Sequence, residues 1–388
     1  MLIYNAHLHT MDGRVIENGW LQTDGPVIRA LGEAPSRPAL SSGDIDANGR
    51  ILTPGLIDAH CHVGIFGDSL GEIGEDGNEA ADPITPHLRA LDAINPNDRC
   101  FSDALRAGVT SLLTGPGSAN PIGGQIVAMK THGRRVDDML LASPSAMKFA
   151  MGENPKRVYG EKKESPITRM GVAALIREAL YKTLFYRDKL AAASQRKEER
   201  PDYNIKWESL LPVLDGTLPA HFHAHSANDI FTALRIAKEF SLNCVIIHGT
   251  GSAPVADLLA NEGTRVVVGP LLTERVKPEM KDLSLSLPYA LHRAGVVTAI
   301  CTDAPVIPPE YLPMCAGLAA KAGLPPEEAL LSITRRAAVI SRLDGRVGAL
   351  RPGLDADIVL WNEHPLSLNA SPDIVLLSGK KIISTLPR

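Results

Sequence analysis

The sequence predicts an α/β fold: a (β/α)8 TIM barrel that carries a small β-sandwich domain formed by both chain ends. Between residues 53 and 346, short apolar runs alternate with helical stretches, which is typical of parallel βαβ units. Near both ends, apolar and polar residues alternate between turn-forming Gly and Asp, which indicates short antiparallel strands. We therefore predict a sandwich from residues 1–52 and 347–388, with the barrel at 53–346 between them.

Length and charge narrow the class of protein. The 388 residues suffice for one barrel of about 250 residues and a smaller domain. The net charge of −4 gives no basic surface for nucleic acid or an anionic membrane, so a small-molecule substrate is the expected partner. The start resembles no secretory signal, no apolar run spans a membrane, and the five cysteines are scattered. These features predict a cytoplasmic protein with reduced thiols.

Several of the predicted barrel strands end at a side chain that can bind metal. His60 and His62 close the first strand, and residues two apart on a strand share a face, so both can hold one ion. In a parallel barrel every strand delivers its C-terminal residue to the same rim, where active sites form. The strands predicted after the first are 108–114, a third near 125–130, and those ending at Lys148, His223, His248, Gly269 and Asp303.

This pattern resembles the amidohydrolase superfamily. Its members carry His-x-His on the first strand, Lys or Glu on the fourth, His on the fifth and sixth, and Asp on the eighth. The runs Thr53–His60 and Gly353–Trp361 resemble the superfamily's entry into the barrel and its return to a flanking β domain. Met147–Arg157 and His223–Asp229 are similar to its imidazolonepropionase-like or prolidase-like branch.

The resemblance implies a binuclear metal centre. Carbon dioxide adds to the strand-four lysine of related families, and the carbamate bridges two divalent ions. Nitrogen and oxygen ligands favour Zn²⁺ and leave Mn²⁺, Fe²⁺ or Co²⁺ open. Carried over to this chain, the pattern assigns one ion to His60, His62 and Asp303, the other to His223 and His248, and the carbamate bridge to Lys148.

The same resemblance implies a reaction. A metal-bridging hydroxide would attack an amide-like C–N bond, of a non-standard peptide or of a cyclic amide, with Asp303 as the catalytic residue that moves the proton. Barrels of this type often assemble, so a homo-oligomer is also expected.

Two assignments of the strand-five metal ligand remain open within the predicted site. On strand five, the family motif assigns the ligand to His223 and leaves His225 for substrate, but the two roles could be exchanged; His221 is expected to be a satisfied core residue. The pair His7 and His9 repeats the His-x-His spacing outside the barrel, and we expect no metal there.

Substrate contacts are predicted in the segment that follows Lys148. Arg157 and Tyr159, with neighbouring Lys156, are candidates to bind a carboxylate or a ring substituent, and the alternative is that they face solvent. The sequence also departs from its nearest relatives. Lys148 argues against the mononuclear chemistry of imidazolonepropionases themselves, and Gly251 stands where the branch usually has Glu.

Two competing functions use the same fold. A mononuclear enzyme would deaminate or hydrolyse a ring, and Lys148 counts against it. A non-catalytic subunit of an assembly would be expected to have lost ligands, whereas this chain retains all six.

Overall fold

The computed structural model describes residues 1–68, 70–196 and 199–385. Its strands follow the chain from one end to the other, in two groups that belong to two sheets. In the described residues the strands are β1 (Leu2–His9), β2 (Val15–Asp24), β3 (Val27–Glu33), β4 (Ile45–Asp46), β5 (Ile51–Pro54), β6 (Leu56–Cys61), β7 (Val109–Thr114), β8 (Ile122–Lys130), β9 (Leu140–Ala150), β10 (Ala220–Ala224), β11 (Cys244–His248), β12 (Arg265–Val268), β13 (Val297–Ile300), β14 (Ile358–Trp361), β15 (Pro372–Leu377) and β16 (Lys380–Ser384).

The helices lie between the strands of the second sheet and after it. None in the described part of the chain is long and apolar enough to cross a membrane. These helices are α1 (Arg99–Arg106), α2 (Val136–Met139), α3 (Glu153–Glu161), α4 (Arg169–Arg196), α5 (Ile205–Leu214), α6 (Ala227–Glu239), α7 (Ala256–Asn261), α8 (Leu287–Ala294), α9 (Leu312–Lys321), α10 (Pro326–Ser332) and α11 (Arg335–Ile340).

Strands β6 to β13 form a nearly closed barrel sheet in which each strand neighbours the next along the chain. The barrel closes where β13 meets β6: Asp303 N donates to His60 O at 3.2 Å, and His62 N donates to Ala304 O at 2.8 Å. Every residue of β6 is buried. The closure therefore places the two ends of the predicted ligand series, His60 and Asp303, beside one another.

The third barrel strand runs in the opposite direction to the prediction. β8 pairs antiparallel with both β7 and β9, whereas the remaining neighbours in this sheet are parallel. The physical reason lies in the connection: residues 115–121 join β7 to β8 directly, and a parallel crossover needs about a dozen residues or more. The sheet is thus not the all-parallel barrel that the alternation of runs predicted.

Reversal of β8 delivers its last residue to the opposite end of the barrel from the predicted ligands. There, Lys130 Nζ lies 2.8 Å from Asp355 Oδ2 and 3.0 Å from Asp357 Oδ1, and it donates to Ser378 Oγ at 2.7 Å. These partners come from the C-terminal segment of the chain. A buried lysine therefore ties the barrel to the sheet formed by the chain ends.

Both chain ends enter one hydrogen-bonded sheet, in the order β16-β15-β14-β5-β1-β2-β3, with β4 paired to β1. The sheet bends so that the start of β3 meets the chain before β14: Ile28 N donates to Leu354 O at 2.8 Å, and Ala356 N donates to Pro26 O at 2.7 Å. The predicted joining of the two ends is confirmed. Two separate sandwich layers and the domain boundaries stay predictions.

Candidate metal centre

Strand ends of the barrel bring two groups of metal-binding side chains together. The first group is His60, His62 and Asp303; the second is His223, His225 and His248. Within each group the ligand atoms lie within 4.8 Å of one another. The six residues thus lie at the ends of four barrel strands or in the segments directly after them.

In the first group, a carboxylate faces two imidazoles. Asp303 Oδ1 lies 3.6 Å from His60 Nε2 and 3.4 Å from His62 Nε2. The opposite ring nitrogen of His62, Nδ1, donates to Gly115 O at 2.7 Å. A backbone acceptor at Nδ1 fixes the tautomer and leaves the lone pair of Nε2 directed at Asp303, which is the arrangement that histidine ligands of metals usually have.

The second group shows the same arrangement in His248. Its Nδ1 donates to Gly269 O at 2.6 Å. His225 Nδ1 lies 2.7 Å from Thr250 Oγ1, whereas neither ring nitrogen of His223 has a hydrogen-bond partner, although the residue is buried. Both His223 and His225 therefore reach this group, and His223 is the one whose ring nitrogens are both without a hydrogen-bond partner.

Lys148 lies against the first group and is fully buried. Its Nζ is 3.0 Å from His60 Nε2. The rings of His60 and His248, one from each group, have centroids 5.8 Å apart. The two groups are therefore neighbours, and the predicted bridging residue lies beside one of them.

Burial keeps four of these histidines neutral. Burial lowers the pKa of His60, His223 and His225, and it lowers that of His248 to about 4. Neutral imidazole is the form that binds a metal ion. Each of these four rings therefore keeps one unprotonated nitrogen, whose lone pair is available to a metal ion.

The charges of Lys148 and Asp303 are shifted in opposite ways. Burial lowers the pKa of Lys148 to about 8, so part of the population carries a neutral amine near pH 7. Burial would raise the pKa of Asp303, but His248, His62 and Lys148 outweigh it and hold that pKa below its usual value. Asp303 is therefore ionised and available as a ligand or a proton acceptor.

The backbone is strained at two residues of the site. His248 has φ of 75° and Asp303 has φ of 56°, both in the left-handed region that L residues other than glycine seldom adopt. Each follows or ends a barrel strand, where the turn re-aims its side chain. Such strain is concentrated at functional sites in proteins.

A cavity of about 370 Å³ opens onto both groups. Arg157 lines it, as predicted for a substrate contact, together with Asn154 and Lys277. Tyr159 does not line it: the side chain is fully buried, and its hydroxyl donates to Asn120 Oδ1 at 2.7 Å. The predicted substrate role of Tyr159 is wrong in this geometry, because the phenol is committed to an internal hydrogen bond.

Three polar residues near the site were missed from the sequence. Asp58 is fully buried and accepts hydrogen bonds from Thr302 N at 3.2 Å and from the Thr302 hydroxyl; burial raises its pKa to about 7. It lies two residues before His60, on the same strand, which was the available signal. Glu279 lies in a three-residue 3-10 helix after β12 (Pro278–Met280) and Lys277 caps its start; so short an element carried no periodic signal.

The remaining histidines lie outside the two groups. His221 is buried deeper in β10, but neither of its ring nitrogens has a hydrogen-bond partner, which differs from the satisfied core residue expected. His9 Nδ1 faces Glu327 Oε2 at 3.6 Å, and the His7 ring lies beside the His9 ring, with centroids 4.7 Å apart. In the described chain, neither His7 nor His9 belongs to either group of three candidate ligands.

Comparisons with known proteins identify the family of this chain. The amidohydrolase family model matches residues 221–386. A crystal structure of an amidohydrolase from Thermotoga maritima is 40% identical, covers 99% of both chains and has a TM-score of 0.95. An imidazolonepropionase from Mesorhizobium japonicum is 28% identical over 94% of this chain and 92% of its own length.

A further relative is much longer. Amidohydrolase tasK from Hapsidospora irregularis is 30% identical over 86% of this chain, and the matched part spans 36% of tasK. The chain belongs to the amidohydrolase superfamily, with imidazolonepropionases among its relatives, and is a hydrolase acting on carbon–nitrogen bonds. The predicted family and enzyme class are confirmed.

Proposed function

We propose that this hydrolase cleaves an amide-like C–N bond in a small-molecule substrate, either a non-standard peptide or a cyclic amide, with two divalent ions in the candidate centre. The observation that carries the proposal is the pair of adjacent ligand groups with buried Lys148 beside them. A mononuclear enzyme would need only one such group. A non-catalytic subunit would need neither.

The donor set fits divalent cations. His60, His62 and Asp303 would hold one ion, and His223 and His248 the other, with Lys148 as a carbamate between them. Neither ring nitrogen of His223 has a hydrogen-bond partner, which leaves it available to an ion. The Nδ1 atoms of His62 and His248 are held by backbone carbonyl oxygens, so their Nε2 atoms are available as ligands. Among the described residues, no acidic group lies within hydrogen-bond distance of Lys148, whose Nζ contacts His60 instead. Imidazole and carboxylate ligands favour Zn²⁺, with Mn²⁺, Fe²⁺ or Co²⁺ as alternatives.

Bound divalent ions would supply a water molecule of lowered pKa and an electrophile for the substrate carbonyl. The remaining work falls to the chain. Asp303 Oδ1, held beside His60 and His62, would accept the proton of the attacking water and deliver it to the leaving nitrogen. Its lowered pKa keeps it ionised before the attack.

Substrate would be oriented by polar side chains on the cavity wall. Arg157 and Lys277 supply positive charge, and a guanidinium binds a carboxylate through paired hydrogen bonds. His225, held through Nδ1 by Thr250, would present Nε2 to the substrate if His223 is the ligand. We therefore propose an amide that carries an acidic substituent.

The test is metal content by plasma mass spectrometry on protein purified without added metal, combined with native intact mass to detect a carbamate on Lys148. Two divalent ions per chain and one carbamate would support the proposal. One ion without carbamate would point to a mononuclear hydrolase or deaminase. No ion even after reconstitution would favour the non-catalytic alternative.

The organisation of the chain is also part of the proposal. We assign residues 53–346 to the barrel domain and residues 1–52 and 347–388 to the flanking β domain. The division of the two sheets between β5, which ends at Pro54, and β6, which begins at Leu56, supports a boundary close to residue 53. Limited proteolysis that cuts first near residues 53 and 346 would support these boundaries. Light scattering would test the expected homo-oligomer.

A further inference from the structure

A buried carboxylate faces the second histidine group and has no role in the function proposed above. Glu279 has a side chain that is only 1% exposed. Its Oε1 lies 3.8 Å from His223 Nε2 and 3.8 Å from His225 Nε2. These distances are too long for hydrogen bonds.

The same distances suit two ligands of one ion. Donor atoms about 2.1 Å from a tetrahedral Zn²⁺ lie about 3.4 Å from one another. His223 has no hydrogen-bond partner on either ring nitrogen, so nothing in the described chain competes for its lone pair. A small inward movement of Glu279 or of the rings would let the carboxylate and an imidazole share a cation.

The other oxygen of Glu279 is fixed by the backbone. Oε2 accepts a hydrogen bond from Glu153 N at 3.0 Å. The approach depends on Gly152, which has φ of 80° and where a Cβ atom would lie 2.6 Å from Oε2. One carboxylate oxygen thus orients the group while the other points at the histidines, as ligating carboxylates commonly do.

The ammonium of Lys277 contacts Oε1, the oxygen of Glu279 that faces the histidines. Lys277 Nζ lies 2.7 Å from Glu279 Oε1 and donates to Asn154 Oδ1 at 3.0 Å. Lys277 also lines the cavity, so its ammonium can turn toward substrate without leaving the site. Like charges repel, so an ion at the histidines and the ammonium would compete for this carboxylate.

We propose that Glu279 is a ligand of the ion held by His223 and His248, and that Lys277 releases its carboxylate when that ion binds. The proposal rests on the two-ion centre proposed above. Glu279 would supply an acidic ligand from the 3-10 helix after β12. The segment after β11, where the sequence has Gly251, supplies no carboxylate at that position. Release of Lys277 would place a free ammonium in the cavity only when the centre is loaded.

The test compares wild type with Glu279→Gln and Lys277→Met. Stepwise ion affinities are measured by competition with a chromogenic chelator, using Zn²⁺ alone and no substrate. We expect Glu279→Gln to keep one ion and to bind the second at least about 10-fold more weakly, because loss of even an outer-shell partner of a metal ligand costs about 10–100-fold in affinity. Lys277→Met should bind the second ion more tightly than wild type.

Two further variants separate ligation from folding. Glu279→Asp keeps a carboxylate and should bind the second ion with intermediate affinity. Asp282→Asn removes an exposed carboxylate a few residues further along and should leave both affinities unchanged. Circular dichroism of the metal-free forms establishes that each variant is folded.

The outcomes distinguish this inference from the two-ion model. Two ions in wild type that Glu279→Gln binds equally well would overturn the role of Glu279 alone. A single wild-type ion unaffected by Glu279→Gln would overturn both proposals. A single ion that the variant binds more weakly would support Glu279 as a ligand and remove the second ion.

Discussion

The Nζ atom of Lys148 lies 3.0 Å from Nε2 of His60, and both side chains are buried. A protonated lysine and a protonated histidine would repel one another at this distance, so at least one of them is neutral. The low pKa of His60 and the lowered pKa of Lys148 satisfy that condition. This contact links the strand-four lysine to the first ligand group.

Replacement of Lys148 by Ala should remove the proposed bridge. We expect loss of the second ion and a fall in activity of at least about 100-fold, because metal binding at a bridged site depends on every shared ligand. Acetate or propionate should restore part of both, since a short carboxylate can occupy the space left by the carbamate. The measurement is metal content and turnover with and without the added acid.

The matched control for Lys148→Ala is Lys281→Ala, which removes an exposed lysine. It should retain both ions and full activity. Full activity in Lys148→Ala without added acid would show that no carbamate bridge is needed.

His223 and His225 can be told apart by substitution. His223→Gln should weaken one ion by at least about 100-fold, because a ligand is lost. His225→Gln should retain both ions and raise KM, because the variant loses only the ring that Thr250 holds toward the cavity. Equilibrium dialysis with Zn²⁺, followed by steady-state kinetics, makes the comparison, and the reverse pattern would make His225 the ligand.

His9, at the end of β1, and the nearby His364 predict a pH-dependent stability. Burial lowers the pKa of His9, and burial also lowers that of His364, whose ring centroid lies 6.0 Å away. The folded state therefore prefers neutral imidazole, and this contribution is complete above about pH 6.5 and is lost as the pH falls below it. His9→Gln should flatten the fall in urea midpoint between pH 7 and pH 5.

Two controls accompany the His9 experiment. His132→Gln changes an exposed histidine and should leave the pH dependence as in wild type. Metal content of His9→Gln should also be unchanged. A loss of metal in this variant would mean that His7 and His9 belong to a metal site after all.

Lys130 should be a strong stabilising residue far from the reaction. Lys130→Met leaves Asp355 and Asp357 without their shared cation, and loss of one partner from a buried ion pair costs about 3–5 kcal/mol. The free energy of unfolding in urea measures this. Lys182→Met, which removes an exposed pair with Glu178, should cost about 0.3–0.5 kcal/mol; equal effects would contradict the tie between the sheets.

The predictable part of the site follows from one rule. Parallel strands end at a common rim, so the ends of apolar runs identified His60, His223, His248 and Asp303 without knowledge of any contact. The direction of β8 required attention to the short segment 115–121, which the alternation of runs does not reveal. Strand order was therefore easier to predict than strand direction.

Two of the three missed residues share a physical cause. Glu279 and Lys277 lie in and directly before a 3-10 helix of three residues, which is too short for a periodicity to mark which side chains point inward. Arg157 and Tyr159 lie two residues apart on α3, on different faces of the helix, so only one of them reaches the cavity. Sequence spacing could place this segment at the rim but could not orient its side chains.

The left-handed backbone of His248 and Asp303 has a consequence for attempts to stabilise the protein. Glycine is the residue that relaxes such a conformation, so substitution of either residue by Gly should favour the folded backbone while it removes a proposed ligand. A screen for heat resistance alone would thus select against catalysis at these positions. Engineering of a hardier enzyme should hold both residues constant and seek its gains elsewhere in the barrel.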